Sequence, residues 1–491
     1  MRVEVKGDRR SRTAGRVSLW PLVALIFFSV SGGAYGLEPL WGEAGPGMVM
    51  VLLIVTPIVY GIPVALFTAE LSTAIPDEGG YYQWVKRAFG NFWGYQEGML
   101  SWVNSWVDCA LYPVLFSSYL AQIWSKAGQG ADVLWQFHMP GIGNFQVDLY
   151  WLIGVVVIVF GLTALNIVGA KIVGESSVIF AVLCLIPFAL LTIWGLPKLF
   201  SHHLSPLAPV TPAHTGLVTA FGAGLAVVMW NYNGFDSVAT ITEEMKDPRR
   251  HLPKALALSI ALITICYVLP GLASMAVGYQ HGALNWSHWQ AGSFSAVGGA
   301  LAGPWLRWML AIGGMISAAG LYSSLLMSNS RVPFILAADG YIPRWFVRVN
   351  PRFRTPVVAI VLCSCIYALL ANNGFLNLLN IDVLTGNVAM ALELFAMIKL
   401  RYSEPELERP FKIPGGWPGI ILMSVPLVAI ICWSGYENWT QSGDGIRWLM
   451  VAAFSFCLIA YPFSALLRRH YARRGQLGLP PEWTEAAREW D

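Results

Sequence analysis

Residues Phe221–Leu256 read FGAGLAVVMWNYNGFDSVATITEEMKDPRRHLPKAL. The stretch opens as an apolar helix and loses that character over Trp230-Asn-Tyr-Asn-Gly-Phe-Asp236. It resumes over Ser237–Thr242 and then runs into a charged loop. Hydrocarbon offers no water to a freed backbone group or a bare carboxylate, so such an interruption persists only where it faces a cavity or other protein. An apolar span broken at its centre is the sequence mark of a transporter binding site. A kinked structural helix with a satisfied polar cluster is the competing explanation. A second broken span decides between them.

The rest of the chain is a polytopic membrane sequence. It is 56% hydrophobic and 12% charged over 491 residues, about half the charged share of a soluble chain. A net charge of +3 with basic residues scattered beside apolar spans does not indicate nucleic-acid binding. Seven cysteines, all inside apolar segments, are read as buried small hydrophobes and not as disulfides or metal ligands. Val17–Gly36 has the outline of a signal peptide, but its apolar character continues to Ala44 and many further spans follow. A window of about 20 residues places spans at 18–44, 48–73, 91–124, 150–167, 174–198, 215–243, 254–279, 304–337, 355–371, 378–400, 417–435 and 447–467. With the N-terminus inside, only Lys126, Lys198, Arg307 and Arg447 of the 31 Lys and Arg residues fall on the outer side. That asymmetry predicts cytoplasmic N- and C-termini.

The first span breaks too, at Ser31-Gly-Gly-Ala-Tyr-Gly36. Each broken span opens a run of five helices, and the second run starts from the opposite side of the membrane. The expected fold is therefore an all-α integral membrane protein of about twelve transmembrane helices, with a LeuT-like core of two inverted five-helix repeats in which helices 1 and 6 are broken. The expected division is a cytoplasmic tail at 1–17, a first repeat at 18–200 and a second at 215–400. Two appended helices follow at 417–467, then a cytoplasmic tail at 468–491.

Three segments carry a family resemblance. They are Ala69-Glu-Leu-Ser-Thr-Ala-Ile-Pro-Asp-Glu-Gly-Gly-Tyr-Tyr-Gln-Trp84, Glu243-Glu-Met-Lys-Asp-Pro-Arg-Arg-His-Leu-Pro-Lys254 and Arg331-Val-Pro-Phe-Ile-Leu-Ala-Ala-Asp-Gly-Tyr-Ile-Pro343. In order and in placement they resemble the amino acid–polyamine–organocation transporters, over roughly Leu19 to Pro414. Ser31-Gly-Gly, Trp106–Phe116 and Leu392–Arg401 resemble the polyamine uptake branch. Trp230-x-Tyr-x-Gly-Phe-Asp236 and Gly94-Tyr-Gln96 with Trp102 are similar to the bacterial arginine–agmatine exchanger.

The resemblance assigns substrate-binding positions to Ser31, Gly32, Gly33 and Tyr35 in the first break, and to Ser101, Asn104 and Ser105 on span three. In the second break it assigns Trp230, Tyr232, Phe235 and Asp236, with Trp230 as a gate whose ring face lies over a cationic amine. Close packing through small residues also accounts for the glycines, and helix–helix hydrogen bonding for the polar trio on span three. Asp108, Asp236 and Glu393 are the candidate proton carriers, and Ser323 and Ser324 offer hydroxyls to a sodium site instead. Lys171 falls at the cytoplasmic end of span five, not midway along it as in some relatives.

The expected function is a secondary active permease for an amino acid or related organic amine, coupled to protons, with a polyamine:proton symporter as the alternative. An amino acid is favoured because the polyamine branch carries acids where this chain has Ser29, Leu325 and Asn329, which leaves three buried carboxylates. A membrane enzyme or receptor would show a His/Asp cluster or a large soluble domain, and neither is present. No cofactor and no resident metal are expected. The expected partners are the amine or amino acid, protons or sodium, and membrane lipid, in a monomer or homodimer. The expected location is the plasma membrane, or the inner membrane of a bacterium.

Overall fold

The computed structural model describes residues 17–77, 79–124, 133–139, 143–201, 205–278, 284–350, 352–353, 355–372 and 375–480. Lys126, placed on the outer side from the sequence, lies outside them, as do 1–16 and 481–491 of the two tails. The helices in the first half are α1 (Leu19–Val30), α2 (Pro39–Ala44), α3 (Pro46–Ala74), α4 (Tyr81–Phe89), α5 (Asn91–Trp124), α6 (Leu149–Val168) and α7 (Ala170–Ser201). The second half has α8 (Leu217–Asn231), α9 (Pro248–Gly278), α10 (Ser293–Ala302), α11 (Pro304–Asn329), α12 (Arg331–Ala338) and α13 (Val357–Leu370). It ends with α14 (Phe375–Ser403), α15 (Gly416–Gln441) and α16 (Asp444–Arg473). An antiparallel hairpin, β1 (Val133–Met139) with β2 (Gly143–Asp148), follows α5. The expected all-α class stands.

Among the described residues eight helical stretches are long and apolar enough to cross a membrane, and α1, α8, α10 and α13 are shorter apolar helices. Burial sorts the long ones. The apolar window of α11 and α12 is 72% buried, while that of α16 is 11% buried. The exposed face of α16 carries Trp448, Leu449, Phe456, Ile459 and Phe463, a surface suited to lipid. Exposed tryptophans stand at helix ends, among them Trp20, Trp93, Trp124, Trp305, Trp417 and Trp439, where an aromatic ring suits the membrane–water boundary. Inside, α5 packs extensively on α11 and on α14.

Both breaks are present, and they touch. Helix α1 stops at Val30, and Gly32, Gly33 and Gly36 adopt φ of +61°, +98° and +87° before α2 resumes at Pro39. Helix α8 stops at Asn231, Gly234 adopts φ +102°, and a 3-10 segment runs Ser237–Glu244. A Cβ on Gly234 would stand 2.2 Å from the carbonyl oxygen of Ser29. Only a residue without a side chain admits that approach at that dihedral. The backbone groups freed in the first break find partners nearby. Ser31 Oγ accepts from Gly33 N at 3.0 Å, and Glu38 Oε2 accepts from Gly36 N at 2.8 Å. The other oxygen of Glu38 accepts from Tyr119 Oη at 2.5 Å and from Gly292 N at 3.0 Å.

The end of the bundle that carries the basic motifs is tied by charge. Glu70, fully buried, accepts two hydrogen bonds of 2.5 Å from Arg401 and one of 2.8 Å from Ile413 N. Arg409 pairs with it at 3.4 Å. Asp339 takes both Lys86 and the Tyr82 hydroxyl. Helix α4, where the sequence suggested only a loop, is set off by Gly80 and Gly90 at φ +38° and +86° and buries Tyr81, Tyr82, Trp84 and Val85. The cysteine expectation needs one correction: all seven are free, but Cys365 and Cys432 are exposed on outward helix faces. A small apolar side chain is as stable against lipid as in a core, so apolar context alone does not bury it.

Candidate functional site

Beside the meeting of the two breaks lies a small cavity of about 50 Å³. Ser101, Asn104, Ser105 and Asp108 of α5 recur at helical spacing and line one wall. The second break supplies Asn233, Gly234, Asp236 and Ser237. Helix α11 contributes Leu325 and Asn329, α14 contributes Gly386, Ala389 and Met390, and Tyr81 closes the end nearest α4. Leu325 and Asn329, the neutral residues at positions where the polyamine branch tends to carry acids, thus face the cavity itself.

The remaining site residues named from the sequence sit around this cavity without lining it. Ser31 and Gly33 are bonded to each other. A Cβ on Gly32 would meet Ser317 and Leu321. Tyr35 packs against Tyr119 and Phe188, with its hydroxyl 3.5 Å from Cys184 O. Tyr232 donates to Leu53 O at 3.0 Å and stands edge-on to Tyr267, and Phe235 is buried. Trp230 is buried and stacks on Tyr112, ring centres 6.4 Å apart at 26°. Its indole donates to Asp108, which also accepts from the Tyr112 hydroxyl at 2.9 Å. Trp230 thus reaches the cavity through a carboxyl group.

Five acids gather around the cavity, two more than the sequence singled out, with Asp108 and Asp236 half-buried at its wall. Glu97 and Asp382 join Asp108, Asp236 and Glu393, and Glu97, Asp382 and Glu393 are at most 1% exposed. Glu97 accepts from Ser101 Oγ at 2.8 Å, and Asp382 accepts from Asn104 Nδ2 at 2.9 Å. Thr385 donates to Asn104 Oδ1, which turns the amide so that its NH₂ faces Asp382. Asp236 and Glu393 lie within hydrogen-bond reach of each other. One oxygen each of Glu97, Asp236, Asp382 and Glu393 has no partner. Among the described residues no Lys, Arg or His forms an ion pair with any of the five. An uncompensated buried charge is costly, so such a cluster takes up cations or protons. Among the described residues no group of His, Cys, Asp and Glu has the arrangement of a metal centre.

The candidate sodium hydroxyls are both engaged. Ser324 donates to Leu25 O at 3.1 Å and lies 3.0 Å from Ser29 Oγ, while Ser323 accepts from Asn166 Nδ2 at 3.1 Å.

Comparison with known proteins places this architecture among others. A family model described as amino acid permease matches residues 17–465. The chain is 34% identical to a probable polyamine transporter of Arabidopsis thaliana over 85% of its length and 78% of that protein's. It is 32% identical to the polyamine transporter PUT1 of Oryza sativa subsp. japonica, over 87% of this chain and 74% of the other. It is 26% identical to the Asc-type amino acid transporter 1 of Mus musculus, over 75% of this chain and 65% of that one.

Proposed function

Because the chain belongs to the amino acid permease family, amino acid–polyamine–organocation transporters of the multi-pass membrane type and not enzymes, we propose that its substrate is a polyamine, carried with protons by alternating access. The observation that carries this reading is the set of five acids around the cavity, three fully buried and two half-buried, that form no ion pair with Lys, Arg or His among the described residues. A polyamine brings several ammonium groups and no carboxylate, so each charge it buries meets an anion. An amino acid would also bring an anion into that cluster. In the first break Gly36 N–H is bonded to the chain's own Glu38 and so is not free for a substrate carboxylate. The names of the two plant relatives agree with the same choice.

Proton coupling fits Asp108, Asp236 and Glu393 better than sodium fits Ser323 and Ser324, whose hydroxyls already serve neighbouring groups. Twelve crossings in two inverted repeats, 18–200 and 215–400, followed by 417–467, complete the reading. Both tails face the cytoplasm of a plasma or bacterial inner membrane, with the protein as monomer or homodimer. The paired broken helices support that repeat.

The test is uptake by the purified chain in proteoliposomes, with labelled spermidine, putrescine and amino acids under imposed proton or sodium gradients. Spermidine or putrescine is expected to enter in preference and to follow the proton gradient. An amino acid favoured tenfold or more, a gap of about 1.4 kcal/mol, would return the substrate to that class.

A further inference from the structure

The five acids are arranged in two tiers. Asp108 and Asp236 line the cavity. Glu97, Asp382 and Glu393 do not: Glu97 and Asp382 are each hydrogen-bonded by one oxygen to a residue that does, Ser101 and Asn104, and Glu393 lies beside Asp236. The second oxygen of each rear acid is buried and unbonded. A substrate in the cavity can touch the front pair, and it meets the rear acids only through the wall.

We propose, on the reading that polyamines are the cargo, that the rear acids Glu97, Asp382 and Glu393 are positioning residues for protons whose number adjusts to the charge of the substrate. The physical reason is the cost of net charge in a closed, low-dielectric site. The site can close and turn over only when ammonium groups and protons together balance the acids. Each ammonium group settled at the wall takes the place of a proton behind it. A diamine is therefore carried with one more proton than a triamine. The other titratable groups facing the cluster are Tyr60 of α3, Tyr81 of α4, and Cys109 and Tyr112 of α5. All are neutral at ordinary pH, so the balance falls to the acids.

The experiment uses the full chain in proteoliposomes with the membrane potential clamped at zero. The accumulation ratio of labelled putrescine or spermidine at zero net flux is measured against the imposed pH difference. Each coupled proton multiplies that ratio by about ten per pH unit. The dependence for putrescine is expected to be steeper than that for spermidine by one such factor. Glu97→Gln, Asp382→Asn and Glu393→Gln, whose amides stand for a permanently protonated acid, should each remove one factor from both substrates. Equal slopes in the unaltered protein overturn the proposal and need no variant to fold. Slopes that none of the three amides moves overturn it as well. If the unaltered protein accumulates an amino acid and neither polyamine, the proposed substrate fails and this inference with it, which the slopes alone would not show.

Discussion

Trp230 shows how a residue's importance and its role separate. Trp230 opens the loss of apolar character at Trp230–Asp236, and the resemblance implies a ring lying over the substrate amine. In the structure it is one step removed, stacked on Tyr112 and donating to Asp108. Trp230→Phe keeps the stack and removes the donor, and a hydrogen bond to a charged group is worth about 1.5–3 kcal/mol. The expected result is a KM for polyamine raised roughly tenfold or more, with folding unchanged; Trp230→Ala should abolish uptake. Full uptake by the Ala variant would leave Trp230 a packing residue. Glu97 and Asp382 are legible in the sequence by spacing. Glu97 extends the Ser101, Asn104, Asp108 stripe by one turn. Asp382 shares a helix face with Gly386, Ala389 and Glu393. What spacing could not supply is which way that face of α14 turns, because neighbouring helices set the rotation.

At the scale of elements, the two breaks could be read because membrane helices rarely admit polar or glycine-rich centres without cause. Helix α4 could not, since its start and stop rest on two glycines at positive φ inside a stretch that also reads as a loop. The join among α3, α14 and the loop before α15 was equally hidden, because Glu70, Arg401 and Ile413 are far apart in the chain. Glu70→Ala would leave Arg401 and Arg409 facing one another without their shared anion. Breaking a buried pair of this kind costs about 3–5 kcal/mol. Thermal unfolding in detergent should show a clear fall in Tm, and Glu70→Gln a smaller one. An unchanged Tm for Glu70→Ala would mean that the two arginines are satisfied by backbone carbonyls alone, as Arg409 partly is already.

For the whole molecule, charge counting and helix order make a claim about sidedness that labelling can check. In a background with the seven cysteines replaced, Arg250→Cys and Arg348→Cys are expected to react only from the cytoplasmic side and Arg307→Cys only from the outer side. Arg250→Cys and Arg307→Cys labelled from the same side would undo the inverted repeat. Between the two halves, the backbone contact of Gly234 with Ser29 leaves no room for a single added carbon. That contact has a genetic consequence. Every one-base change that alters the residue encoded by a glycine codon either installs a side chain or stops translation. No sequence one mutational step away from Gly234 keeps the two halves at this distance. The position is an evolutionary dead end in every direction, and lineages that retain the transporter should retain this glycine while the lipid-facing helices around it drift.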